Sequence, residues 1–246
     1  MDLSNYRATD LEKSRTADLL GILPQGRTSV LDVGARDGHF SKLLAQHFSE
    51  VTALDLMEPA FRYERVTTVA GDITQLQFSD EAFDCVFCVE VLEHIPAVTT
   101  ACHEIVRVAK HEIVIGVPYK QDIRVGRTTC STCGEHNPPW GHVHAFDEGR
   151  LRALFSGLRI IRKSFVGVNR DHTNWLSTVL MDWAGNPWGT YTQEEPCVHC
   201  GARLVPPPAQ RPIWRRMCSA AAARMNRIQR AFVRPHGNWL HIVFSK

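Results

Sequence analysis

Short apolar runs alternate with helix-spaced patterns along most of this chain. Residues 16–22 read as the end of a leading helix, stopped by Pro24 and a polar turn. Val30, Leu31 and Val33 then form a buried-strand run. It ends in a glycine turn from Gly34 to Gly38, and Phe40 to His47 follow with Leu43 and Leu44 at helical spacing. VTALDL (51–56) predicts a second strand and RVTTVAGDI a third that leads to Asp72. FDCVFCVEVLEHI predicts a fourth, opening at Asp84 and emptying into Glu90, Glu93 and His94; HEIVIGVPY (111–119) is a fifth, after an amphipathic segment over 99–109. FDEGRLRALFSG adds a short helix starting at Phe146 or Asp147, LRIIRKSFVGV a sixth strand and NWLHIVFSK a seventh. Strands alternating with helices predict an α/β fold: a Rossmann-like, seven-stranded, mostly parallel sheet in a single domain over 1–246. The last strand follows a long insertion instead of a compact helix, which predicts an antiparallel edge hairpin.

The length allows a real core without staples, and no apolar run approaches the roughly 20 residues a membrane helix needs. The N-terminal MDLSNYRATDLEKSRT lacks the basic-then-apolar plan of a signal peptide, so a cytoplasmic location is expected. Cysteine changes the picture. Cys130-Ser-Thr-Cys133 and Cys197-Val-His-Cys200 are each followed by glycine, and thiolates at i and i+3 in a tight turn present two sulfurs about 3.7 Å apart to one cation. Two such turns complete the tetrahedron of a structural Zn²⁺; disulfides or unrelated thiols are the alternative, disfavoured where thiols stay reduced. His142, His144 and His199 are substitute ligands. Cys85 and Cys88 share the spacing but sit inside a strand pattern, where small buried hydrophobes suffice. Segments 120–145 and 168–237 are expected to form a zinc-pinned cap, because the fifth and sixth strands run toward the same rim.

The net charge of +2 hides an asymmetry: no acid follows Glu195, whereas eight arginines and Lys246 do. Within that stretch Pro212 to Val233 predict a helix whose Trp214, Met217, Ala221, Met225, Ile228 and Phe232 fall within roughly 80° of arc at 100° per residue. The plain expectation is that this stripe packs on the domain and leaves a solvated basic face. Nucleic acid, an anionic membrane surface and an acidic acceptor are the other partners such a face fits.

The glycine turn with Asp55 about 20 residues later is a spacing at which an acid accepts hydrogen bonds from ribose hydroxyls, which points to a nucleoside cofactor. VLDVGARDG, ALDL, GDITQLQFSDEAFDCVFCVEVLEHI and NWLHIVFSK together resemble the class I S-adenosylmethionine-dependent methyltransferases, over roughly 16–167 and 238–246. The resemblance implies S-adenosyl-L-methionine as cofactor and S-adenosyl-L-homocysteine as product. It also implies roles: Asp32 near the methionine ammonium, Gly34 and Gly38 admitting backbone amides, Asp55 and Leu56 at the ribose, Asp72 and Ile73 at the adenine, Glu90 beneath the cofactor. Arg36 stands where the usual pattern has a glycine, and is placed to reach the cofactor carboxylate, an anionic acceptor or solvent. Asn137-Pro138-Pro139-Trp140 resembles the NPPY-type motif of amino-methylating enzymes, but it follows the fifth strand and not the fourth, and reads as a rigid turn. If the acceptor carries its proton a base is needed, and His94, His142 and His144 are the candidates; polar residues at a helix start are the plain alternative. The expected acceptor is a small molecule or glycoconjugate. A zinc-containing RNA base methyltransferase and a non-catalytic cofactor-binding or scaffold protein are the competing readings.

Overall fold

The computed structural model describes residues 4–246. The described chain divides into two compact units. One comprises residues up to Tyr119 with Phe146–Gly167 and Gly237–Lys246; the other comprises Lys120–Ala145 and Val168–His236.

The first unit opens with helices α1 (Ser4–Arg7) and α2 (Asp10–Gly21), the latter capped by Thr9, whose hydroxyl accepts from the Glu12 amide. Then follow β1 (Ser29–Val33), α3 (His39–Leu44), β2 (Glu50–Asp55), β3 (Val66–Ala70), β4 (Phe83–Val89), α4 (Val98–Val108) and β5 (Ala109–Pro118). The two-residue strands β6 (Thr128–Thr129) and β7 (His136–Asn137) belong to the second unit. The chain returns through α5 (Glu148–Leu154), capped by Asp147, to β8 (Arg159–Val166) and closes with β9 (Trp239–Ser245). The sheet order is β3-β2-β1-β4-β5-β9-β8, with β1 to β5 parallel and β9 antiparallel to both of its neighbours.

The terminal strand is therefore not the edge. β9 is buried over Trp239 to Phe244, whereas β8 interleaves Arg159, Arg162 and Lys163 with its apolar residues. Charge is tolerable on an edge strand and costly on a central one, so β8 takes the margin and β9 slots between it and β5. Separate apolar clusters fill the two faces of the sheet: one gathers Ile105, Phe155 and Phe244, the other Leu19, Leu44, Phe48 and Phe87. Since β9 is antiparallel to β5 and to β8, those two strands run the same way. The chain leaves the sheet after Pro118 and after Val166, at the carboxyl ends of both.

The second unit holds the β6–β7 hairpin and a helix pair, α6 (Trp175–Trp183) and α7 (Ile213–Arg230). Asn174 caps α6 by accepting from the Ser177 amide. The pair is tied by polar side chains: Thr173 Oγ1 donates to Asn226 Oδ1 at 2.9 Å and Gln229 Nε2 to Ser177 Oγ at 3.4 Å. The buried positions of α7 are Ser219 and Ala222. The stripe expected to pack inward is thus turned outward, with Trp214, Met217, Ile228 and Phe232 all exposed. The neighbouring helix accounts for the difference. Close approach to α6 selects small and hydrogen-bonding residues, and the large apolar ones occupy the remaining face.

Candidate cofactor site and thiolate centre

The turn after β1 is built around Asp55. The amides of Gly34 and Ala35 donate to the Leu54 carbonyl at 2.8 and 3.0 Å, which lays the turn across the end of β2. The Asp55 carboxylate accepts from the Arg36 amide at 2.9 Å through one oxygen and from the Leu56 amide at 2.7 Å through the other. Each oxygen keeps a further lone pair for a ligand. Gly34 and Gly38 are left-handed (φ 78° and 77°); a Cβ on Gly34 would lie 2.4 Å from Val91, and one on Gly38 2.3 Å from the Phe61 ring. Arg36 shares the left-handed backbone at φ 48°, so the departure from glycine is accommodated with strain. Leu56 is 72% exposed, whereas Ile73 is buried in the core.

Asp32 is buried and accepts from Ser41 Oγ at 2.5 Å; its burial pushes the carboxyl up to about 7, against the opposing Ser41 hydrogen bond. Asp72 has the opposite environment. It is exposed and accepts from both the amide and the hydroxyl of Thr74 at 2.8 Å, which hold its carboxyl below the usual range.

Glu90, directly after β4, has a left-handed backbone (φ 57°), and its amide donates to the Gly116 carbonyl at 2.9 Å. Its side chain faces Arg15 of α2. Arg15 donates through Nε and Nη2 to Glu12 at 2.8 and 2.6 Å, and its guanidinium rests over the rings of Phe40 and Trp239. Its Nη1 lies 3.7 Å from Glu90 Oε1, and both atoms are buried without a hydrogen-bond partner. Burial raises the Glu90 carboxyl more than Arg15 lowers it. Glu93 is fully buried with both oxygens unpartnered, and burial followed by Glu90 raises its carboxyl far above the usual range. His94 ends the short 3₁₀ turn Leu92–His94 beside them. Glu12, Arg15 and Trp239 escaped the sequence reading. A signal existed: Glu12, Arg15 and Leu19 lie at i, i+3 and i+7, an ion pair on the inward face of a helix.

In the second unit the two cysteine turns meet. Cys130 Sγ is 3.8 Å from Cys200 Sγ and Cys133 Sγ is 3.6 Å from Cys197 Sγ, and all four sulfurs lie within 4.8 Å of one another. The turns repeat each other bond for bond. The Cys130 amide donates to the Glu135 carbonyl and the Gly134 amide to the Cys130 carbonyl; likewise Cys197 donates to Ala202 and Gly201 to Cys197. Gly134 and Gly201 are both left-handed, at φ 79° and 71°. Amides of Cys133 and Thr132 donating to its sulfur hold the Cys130 thiol down to about 6. Asn137 bridges the turns, its Oδ1 accepting from the Val198 amide at 2.8 Å. That commitment gives the Asn-Pro-Pro-Trp string a structural job as a turn. His199 contacts the His136 carbonyl, and His142, also in this unit and buried, shares a 2.6 Å contact with Gln121. His144 follows on the same segment, half-buried. Cys85 and Cys88 are buried within β4.

Residues 31–114, from β1 to the middle of β5, match the methyltransferase domain family. This segment is a methyltransferase domain. Asp32, Gly34, Arg36, Gly38, Asp55, Leu56, Asp72, Ile73 and Glu90 all fall within it; Arg15, β9 and the second unit lie outside. The chain is 38% identical over 95 residues to a ubiquinone biosynthesis O-methyltransferase of Pseudomonas paraeruginosa, covering 33% of this chain and 40% of that relative. It is 34% identical over 94 residues to phosphoethanolamine N-methyltransferase 1 of Triticum aestivum, covering 33% of this chain and 19% of the relative. The chain thus spans well under two thirds of the length of the curated relatives it matches. Among solved structures, an Archaeoglobus fulgidus S-adenosylmethionine-dependent methyltransferase superposes with TM-score 0.55 at 15% identity, covering 99% of this chain and 97% of that one. The N-methyltransferase NodS of Bradyrhizobium japonicum WM9, in complex with S-adenosyl-L-homocysteine, superposes with TM-score 0.51 at 23% identity, over 67% of this chain and 84% of that one. At these identities the structures establish the fold: class I, with the antiparallel last strand.

Proposed function

We propose that the protein is an S-adenosylmethionine-dependent methyltransferase acting on a small-molecule or glycoconjugate acceptor in the cytoplasm. The observation that carries this reading is the donor set around the glycine turn. The Asp55 carboxylate is aimed by two amides, and the buried atoms Arg15 Nη1 and Glu90 Oε1 are left without partners. Those atoms fit the two ends of an α-amino acid, the guanidinium taking its carboxylate and the carboxylate its ammonium. Asp55 holds the ribose hydroxyls, Leu56 and the Gly34 to Gly38 backbone line the nucleoside, and Asp72 with Ile73 takes the adenine. Asp32, once ionised, adds negative charge near the ammonium.

The cofactor supplies a methyl group on a sulfonium, and what the protein adds is alignment and exclusion of water. His94, beside the half-buried Glu90 and the buried Glu93, takes a proton from the acceptor where one must leave. His142 and His144 serve the same end if the second unit brings them to the acceptor. Residues 120–145 and 168–237 act as a cap whose four thiolates hold one structural Zn²⁺. Four thiolates leave no open position, so that ion organises the cap without touching the reaction.

Incubation with methyl-labelled cofactor and a cell metabolite extract, beside total RNA, tests the proposal. Label should enter the small-molecule fraction. Label in RNA would replace the acceptor class with the RNA alternative, and label in neither, with no cofactor binding by calorimetry, would end the enzymatic reading.

A further inference from the structure

The helix pair of the second unit is packed inside out. Its shared face is made of Thr173, Ser177, Ser219, Ala222, Asn226 and Gln229, while Ile213, Trp214, Met217 and Ile228 of α7 are exposed to solvent. On α7, Ile213 is 75% exposed and Met217 66%, and Phe232 just beyond the helix is 83% exposed. On α6 and the loop after it, Trp175, Trp183 and Trp188 are 71%, 61% and 67% exposed. Scattered apolar residues on a surface need no explanation, but a continuous row does. At 100° per residue Ile213, Met217, Ile228, Ala221 and Trp214 fill about 100° of arc on α7, with Arg224 inside it between Ile213 and Met217 and the arc of Arg216 and Arg227 directly beside it.

Charge selects the occupant. Arg216, Arg224, Arg227 and Arg234 are exposed and have no ion partner among the described residues, and no acid follows Glu195 in the sequence. A second copy laid face to face would set arginine rows against each other. A nucleic acid strand would neutralise the arginines yet leave the aliphatic row wet. A bilayer with anionic headgroups satisfies both arcs at once: acyl chains cover the apolar row, phosphates meet the guanidinium groups, and the half-exposed Trp214 indole at the margin of the row sits at the headgroup boundary it favours. None of the helices among the described residues is long and apolar enough to cross a membrane, so the contact is peripheral.

We infer that α7, with Trp214 in its exposed apolar row, is an interfacial helix that seats this protein on an anionic lipid surface. The inference does not depend on the catalytic assignment. The full-length protein should co-sediment with vesicles of phosphatidylcholine mixed with phosphatidylglycerol and not with phosphatidylcholine alone, and added salt should weaken the binding. The triple substitution Met217→Ser, Ile228→Ser and Phe232→Ser should weaken it by about tenfold or more, as should Arg216→Gln, Arg224→Gln and Arg227→Gln together. These positions are exposed, so circular dichroism should be unchanged. Lipids brominated on the acyl chain should quench the indole fluorescence of the unaltered protein, which reads insertion without any variant. Failure to sediment, or equal sedimentation by the serine variant, overturns the inference. So does a dimer in solution that the serine variant breaks while vesicles are ignored, or RNA retained by the serine variant while vesicles are ignored.

Discussion

Arg15 Nη1 and Glu90 Oε1 face each other at 3.7 Å, too far for a hydrogen bond, and neither has another partner. A buried cation and a half-buried carboxylate held just apart leave each other's charge only partly met and are well suited to a zwitterion that bridges them. Arg15 is already anchored to Glu12 by two hydrogen bonds, so its free nitrogen is pre-aimed. Arg15→Lys keeps the charge and loses the fork. It should weaken S-adenosyl-L-homocysteine binding by about tenfold while leaving 5′-methylthioadenosine, which lacks the amino-acid end, unaffected. Calorimetry with both ligands checks it; equal losses would show that Arg15 only supports the fold.

Asp55→Ala removes both acceptors for the ribose hydroxyls. Cofactor affinity should fall by about 2 kcal/mol or more, roughly thirtyfold in Kd, the range for charge-assisted hydrogen bonds. Unchanged affinity in the same titration would take the ribose away from this carboxylate.

The buried Asp32 carboxyl rises from 3.8 to about 7 on folding. The folded state therefore binds its proton more tightly than the unfolded chain does. The stability from this group is complete below about pH 4 and is lost as pH rises through about 7. Asp32→Asn cannot ionise and should flatten that loss, so its unfolding midpoint should fall less than the wild type's between about pH 5 and pH 8. Parallel curves from thermal scans would assign the slope to other groups.

The four clustered sulfurs predict one zinc per chain by elemental analysis. Cys197→Ser should lower both the zinc content and the unfolding temperature, because a site assembled from two distant segments is coupled to folding. A metal-free wild type that chelators do not destabilise would argue against the ion.

The sheet was legible because its strands are apolar runs closed by glycine or acid: VLDVG and DCVFCVEV admit few other readings. The cysteine turns were legible through spacing plus the glycine after each, which the structure shows to be left-handed in both. Arg15 was obscure because a charge on the inward face of a helix looks like a surface charge until its partners are in place. The outward stripe of α7 was misjudged for a related reason. Periodicity finds an apolar row but not what covers it, and Ser219, Ala222, Asn226 and Gln229 carry no hydropathy signal for the face that packs. The margin strand was hidden because pattern alone did not rank β8 against β9.

The position of β9 bears on how the chain is made. Translation delivers β5 long before β9, yet β9 is the strand that covers the margin of β5. Until Trp239 to Ser245 leave the ribosome, a nascent chain carries the run EIVIGV with one side of its hydrogen-bonding groups open. Such a margin invites pairing with other chains, so yield during expression should depend on temperature and chaperone supply more than the stability of the finished protein would suggest.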